Sequence, residues 1–170
     1  MSYTFYNSSI ILARDALNSL TAILKKAAEH PNADLLTSAR LYEDMFPLSF
    51  QVFMVTDIAQ KVVARTSGME PLSQEPDFET FEAMQARIEQ ALEIINKADK
   101  ELINKRVEEI VQVGIGGDKT AEMQSCSYVN GYALPVAFFH LSMAYAILRK
   151  EGVPLGKTDY LESFLGQYLS

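Results

Sequence analysis

Four segments of the chain carry apolar residues three and four positions apart, and this spacing constrains the fold more than any other feature. Such spacing places side chains on one face of an α-helix, so each segment predicts a helix with a buried face. The segments cover about residues 10–27, 47–66, 77–97 and 128–150. Four long helices predict an all-α fold of the four-helix bundle type. The length of 170 residues suits a single domain, residues 1–170.

Proline and capping residues predict where these helices begin and end. Pro31 disfavours helix in the residue before it, so the first helix should stop there. Pro47 is tolerated in the first turn of the second helix, and Asp44 just before it is a candidate cap. A short helical piece is expected over residues 38–45. Asp77 is expected to cap the third helix, with Phe78 on its apolar face.

The segment "VEEIVQVGIGGDKTAEMQSCSYV" interrupts the helical pattern before the last long helix. β-Branched residues flank its "GGD" turn, which predicts a short β-hairpin. Its glycines lack the spacing of a phosphate-binding loop. An amphipathic segment with Tyr160 and Tyr168 ends the chain. Two interpretations stay open for it, namely that it closes the end of the bundle or that it pairs subunits in a homodimer.

Composition excludes several classes of partner and compartment. The net charge of −7, with no run of Lys and Arg, argues against nucleic-acid binding. Cys126 is the only cysteine, which excludes an intrachain disulfide and suits a reducing compartment. The N-terminus lacks the basic region of a signal peptide, and the apolar stretch 134–148 is too short to span a bilayer comfortably. The sequence therefore predicts a soluble cytoplasmic protein that is not bound to a membrane.

A few polar residues lie where apolar ones would be easier to bury. Gln51 is on the core side of the second helix, and His140 and Tyr145 are in the apolar last helix. Each needs a hydrogen-bond partner if it is buried, and Asp44 is a further candidate partner. They are either internal structural groups or the polar part of a pocket that holds a small apolar ligand. The apolar residues expected around that pocket are Met45, Phe46, Phe138, Phe139 and Met143.

The sequence predicts no metal-ligand set. The helical neighbours of His140 three and four positions away are Val136, Ala137, Met143 and Ala144. Because none of these is a metal ligand, a metal site at His140 would need carboxylates from other helices, such as Asp44 or Asp57. No cofactor is assigned.

Two blocks of sequence carry a resemblance to a known family. They are "ARLYEDMFPL" within residues 38–71 and "ALPVAFFHLSMAYAILRKEGVPLGK" within residues 132–161. Together they resemble a family of uncharacterised proteins from bacteria and fungi that is similar to the DinB/YfiT-like metalloenzymes. The resemblance covers essentially the whole chain and implies a DinB-like four-helix bundle, often dimeric. The residues that match the narrower family's pattern are Arg40, Asp44, Met45, Pro47, His140, Tyr145, Arg149 and Lys157.

The resemblance does not carry the metal site with it. DinB-like proteins typically have one ligand histidine on the second helix and two more, four residues apart, on a later helix. Here the second helix offers Gln51 or Asp44, and the later helix offers only His140, with Ala144 four residues on. Three hypotheses of function stay open. They are a metal-free binder of a small apolar molecule near His140, a metal-dependent transferase or hydrolase that uses His140 with carboxylates, and a non-catalytic dimeric scaffold.

Overall fold

The computed structural model describes residues 3–76, 80–117, 119–166 and 168–169 and is mostly helical, with one small antiparallel sheet. A π-helical turn (Asn7–Ile11) leads into the first helix, and a second one (Val129–Ala133) leads into the last long helix. In chain order the elements are α1 (Leu12–Ala28), α2 (Ala33–Leu36), α3 (Leu48–Ser67), α4 (Phe81–Asn96), α5 (Lys100–Lys105), β1 (Ile110–Gly114), β2 (Thr120–Gln124), α6 (Ser125–Tyr128), α7 (Leu134–Lys150) and α8 (Lys157–Leu165).

Helix α3 is the centre of the packing, because α1, α4 and α7 all pack against it. Most of its length is buried, including the polar side chains of Gln51, Thr56 and Asp57. By contrast, α7 buries one face and exposes residues such as Phe139. Because α7 is apolar nearly all round, its sequence alone predicts the most buried helix of the set. That prediction is wrong, because α3 buries more of its residues. The outer apolar face of α7 is left uncovered.

The start of α3 is held by backbone groups and not by a side-chain cap. The N–H groups of Leu48 and Ser49 donate to the carbonyl oxygens of Ala39 (2.9 Å) and Thr37 (3.1 Å). These bonds satisfy donors that a capping side chain would otherwise bind. Pro47 occupies the cap position with no side-chain hydrogen bond, so the prediction that Asp44 caps this helix is wrong. The short helix before it is α2, and it lies ahead of the expected residues 38–45.

Side-chain caps fix the starts of α4 and α5. Thr80 accepts a hydrogen bond from the Ala83 N–H (3.1 Å) at the start of α4. The predicted cap at Asp77 and the neighbouring Phe78 lie outside the described residues. Asp99 accepts from two N–H groups at the start of α5, a helix that the apolar pattern did not predict because it has only two turns.

The predicted hairpin is confirmed. Strands β1 and β2 pair antiparallel, from Ile110 opposite Gln124 to Gly114 opposite Thr120. Gly116 and Gly117 in the turn have φ of 103° and 56°, where glycine is favoured because it lacks Cβ. Val111 and Val113 point to the core, so the hairpin is attached to the helices by one face.

The last long helix is continuous with the short elements before it, and residues 125–150 form one helical run. This run is long and apolar enough to cross a membrane by length and composition, a test that core helices of soluble proteins also pass. It is thus longer than the apolar stretch 134–148 suggested. Within the described chain it packs against α3 and α1.

Helix α8 folds back onto α1. The Ser19 hydroxyl donates to the Tyr160 carbonyl (2.8 Å), and Lys26 forms an ion pair with Asp159 (2.6 Å). The hydrogen bond from Lys26 lowers the pKa of the Asp159 carboxyl. Tyr160 and Phe164 of this segment pack against the core, while Leu165 and Tyr168 stay exposed.

Candidate functional site

The structure brings together two of the predicted polar residues, Gln51 and His140. Gln51 lies in the first turn of α3 and His140 near the middle of α7. The Nδ1 atom of His140 is 2.7 Å from the Oε1 atom of Gln51. These residues are 89 positions apart in sequence, so packing of α3 on α7 makes this contact.

The hydrogen bonds of Gln51 fix the tautomer of the histidine. Its Nε2 donates to the carbonyl oxygen of Phe46 (2.9 Å), which orients Oε1 toward His140. An amide oxygen can only accept, so Nδ1 of His140 must carry the proton in this bond. In the neutral ring the other nitrogen, Nε2, then holds a lone pair.

Burial keeps the ring neutral. Desolvation lowers the pKa of His140 to about 4, so the imidazole is uncharged at neutral pH. Among the described residues, the Nε2 atom of His140 has no hydrogen-bond partner. This atom is not fully buried. His140 therefore offers a solvent-reachable acceptor on a half-buried neutral ring.

Two phenylalanine rings pack against the His140 ring. The ring of Phe46 stacks on Phe50 with centroids 4.0 Å apart. Phe50 and Phe139 both meet the His140 ring edge-on, at centroid distances of 6.2 and 5.2 Å. Phe46 and Phe139 are 60% and 54% exposed, which is high for phenylalanine. We call Phe46, Phe50, Phe139 and His140 the aromatic surface.

Arg40 supports this surface from outside it. Its guanidinium donates to the Met45 carbonyl, and its own carbonyl accepts from Lys150 Nζ (2.8 Å). These bonds tie the loop before α3 to the end of α7. Since Phe46 follows Met45 directly, Arg40 positions the loop that carries Phe46, and no described hydrogen bond joins it to His140.

Asp44 and Tyr145, the other predicted polar residues, lie elsewhere. Asp44 is exposed, and within the described part of the chain it makes no hydrogen bond or ion pair. Tyr145 packs edge-on against Tyr160 of α8, with centroids 6.3 Å apart. The expected wall residue Phe138 also faces α8, where its ring meets Phe164 at 5.8 Å. Five positions along a helix turn a side chain well away from His140, which explains the position of Tyr145.

Phe50 was missed from the sequence. It is four residues after Phe46, a spacing that brings two aromatic side chains together on a helix. The spacing of Phe46 and Phe50 could have predicted their contact. However, Phe46 lies in the loop before α3 and not on the helix.

The donor set does not fit the metal site of DinB-like metalloenzymes. The Gln51 oxygen is occupied by the Nδ1–H of His140, and Ala144 offers no donor. The carboxylate of Asp57 accepts hydrogen bonds from Lys61 and Gln60. No described hydrogen bond joins it to His140. Across the described ranges, no group of three or more His, Cys, Asp or Glu side chains is placed to hold a metal ion.

Comparison with known proteins identifies the family. Residues 5–161 match the family model described as "Domain of unknown function (DUF1993)". The chain belongs to this family. No curated protein matches the chain.

A solved structure has a fold similar to that of this chain. The chain is similar to the crystal structure of a DinB family member protein from Shewanella denitrificans, with a TM-score of 0.81 and 28% sequence identity. The alignment covers 92% of this chain and 90% of that one. The expected resemblance to an uncharacterised DinB-like family is thereby confirmed.

Proposed function

We propose that this DUF1993 chain is a cytoplasmic four-helix bundle that binds a small, mostly apolar molecule on the aromatic surface without a metal. The ligand class is a molecule with an apolar body and one O–H or N–H donor. The observation that carries the proposal is the unbonded Nε2 acceptor of a neutral His140 set among aromatic rings.

The low pKa favours binding over proton abstraction. A general base works best when its pKa is near the working pH, and a pKa of about 4 makes imidazole a weak base at pH 7. A neutral acceptor, however, binds a donor well at that pH. His140 therefore orients a ligand by one hydrogen bond.

The aromatic rings supply the apolar part of the contact. Binding sites for small molecules combine apolar and aromatic walls with a few placed polar groups. Phe46 and Phe139 already expose most of an apolar face, so covering them removes apolar area from water. Gln51 holds the imidazole in one tautomer and so sets the direction of the hydrogen bond.

The test compares two probes that differ in one donor. 4-Fluorophenol has the O–H group, and 4-fluoroanisole has the same ring without it; fluorine NMR measures the binding of each. We expect the phenol to bind about 2- to 10-fold more tightly, the effect of one hydrogen bond. The preference should disappear in His140→Phe and persist in Tyr145→Phe, because Tyr145 faces α8.

Equal binding of the two probes by the unaltered protein would contradict the proposal. Retention of the phenol preference in His140→Phe would also contradict it, since another acceptor would then be responsible. Circular dichroism of both variants shows whether the fold is retained.

As an alternative to ligand binding on the aromatic surface, we also propose a homodimer in which the exposed ring of Phe139 on the outer face of α7 is covered by the second subunit. Large exposed apolar side chains on a helix face are typical of interaction sites. Sedimentation velocity of the unaltered protein and Phe139→Ser tests this. A dimer that becomes a monomer in the variant supports the contact, and a monomer in both rejects it.

A further inference from the structure

A cavity, separate from the aromatic surface, lies where the C-terminal end of α3 faces strand β1. Its volume is about 490 Å³. Arg65 and Arg106 both line it, and Glu70 and Gln112 lie on its wall. Arg65 follows Gln51 by fourteen positions on α3, which separates this cavity from the His140 site by about 20 Å along the helix.

Arg65 brings a positive charge to this cavity that no described carboxylate neutralises. Its Nη1 donates to the Tyr128 hydroxyl (3.0 Å), and its guanidinium lies 5.1 Å from the centre of the same ring. Burial raises the pKa of the Tyr128 hydroxyl, so this partner is uncharged at neutral pH. Within the described residues no carboxylate lies within 4 Å of the Arg65 guanidinium.

An arginine near the end of a helix often donates to the last carbonyl groups of that helix, but no described hydrogen bond of Arg65 does so. The carbonyls at the end of α3 accept from backbone groups, with the N–H of Met69 donating to Ala64 (2.8 Å) and that of Gly68 to Arg65 (3.2 Å). No described hydrogen bond joins the Arg65 guanidinium to them. Its remaining donors are therefore available to a ligand.

Arg106 contributes a second guanidinium with a donor to spare. Its Nη2 pairs with Glu109 (2.7 Å), while its Nε is buried with no described hydrogen-bond partner. The guanidinium lies against Gly68, where a Cβ would be only 2.5 Å from Nη2. A glycine at this position thus makes room for the charged group at the cavity.

We propose that this cavity binds a small organic monocarboxylate. Guanidinium groups present paired N–H donors that match the two oxygens of a carboxylate. Glu109 pairs with Arg106, so Arg65 is the arginine of this cavity that forms no ion pair with a described carboxylate. The exposed Glu70 on the wall disfavours a ligand with two negative charges, such as a phosphate dianion.

The test is a titration followed by amide NMR. Sodium butyrate is the probe, and 1-butanol, inorganic phosphate and sodium chloride at equal ionic strength are the comparisons. We expect saturable shifts at the amides of Gly68, Glu70 and Gln112 with butyrate, and weaker binding of phosphate. Butanol and chloride should not produce these shifts.

Three variants locate the charge. Arg65→Met should weaken butyrate binding about tenfold or more, the effect of a charge-assisted pair. Glu70→Gln should strengthen it severalfold, because a like charge is removed. Lys119→Gln is the matched control, since it removes one exposed positive charge from the same hairpin without touching the cavity.

The proposal is overturned if butanol or chloride reproduces the butyrate shifts, or if phosphate binds more tightly than butyrate. It is also overturned if Arg65→Met binds butyrate as well as the Lys119→Gln variant does. Arg106→Met serves as a second variant should loss of the Tyr128 partner unfold Arg65→Met. These outcomes do not depend on the His140 site.

Discussion

Acidification below about pH 6.5 should destabilise the protein through His140. Folding lowers the pKa of this imidazole from 6.5 to about 4, so the unfolded chain binds a proton more readily. Stability from this group is complete above the unfolded pKa and is lost as the pH falls from 6.5 toward 4. The sign follows because the unfolded state binds more protons in that window.

The size of the effect can be worked out from the two pKa values. Between about pH 7.5 and pH 5, the free energy of unfolding should fall by about 1–2 kcal/mol through His140 alone, where the upper value takes the full shift and the lower value allows for solvent screening of a half-buried ring. For a chain of this length that corresponds to about 2–8 °C in melting temperature. His140→Gln removes the titrating group. The free energy of unfolding of this variant should therefore fall by that much less over the same pH range.

Urea unfolding at a series of pH values, followed by circular dichroism, measures both proteins. Other groups titrate equally in the two, so the difference between their pH slopes isolates His140. Identical slopes would refute the reasoning, because the imidazole would then be as well solvated in the folded protein as in the unfolded chain.

Three further substitutions have definite expected effects, each measured by urea unfolding. Gln51→Leu leaves the Nδ1–H of the histidine and the Phe46 carbonyl without this partner and should cost about 1–3 kcal/mol; an unchanged midpoint would contradict the hydrogen-bond pattern. Gly68→Ala should lower the free energy of unfolding by about 1–2 kcal/mol, because φ is 76° there and a Cβ would meet Arg106. A stabilised variant would show that the backbone relaxes. Asp99→Ala removes the cap of α5 and should cost about 1 kcal/mol, whereas no loss would mean that α5 needs no cap.

The parts of the fold that were predictable depend on local patterns. Apolar spacing predicted α1, α3, α4 and α7, and β-branched residues around a glycine turn predicted the hairpin. Helix α5 was missed because two turns are too short for a periodic pattern. The start of α3 was misjudged because distant backbone carbonyls, not the nearby Asp44, satisfy its first N–H groups.

The site was only partly predictable for the same reason. Gln51 and His140 were recognisable as polar residues in apolar helices, which limits their partners. Their hydrogen bond depends on how α3 and α7 pack, and no sequence pattern encodes that contact. Tyr145 looked equivalent to His140 by composition, but its position on the helix directs it toward α8.

The state of the His140 ring tests the central claim most directly. Long-range proton–nitrogen NMR of protein labelled with ¹⁵N-histidine reports which ring nitrogen is protonated, and His30→Gln assigns the signals. At neutral pH we predict a neutral ring with Nδ1 protonated and Nε2 bare, and an Nε2 signal that moves when 4-fluorophenol is added. A protonated Nε2, or an imidazolium ring, would contradict the account because no acceptor would face the ligand.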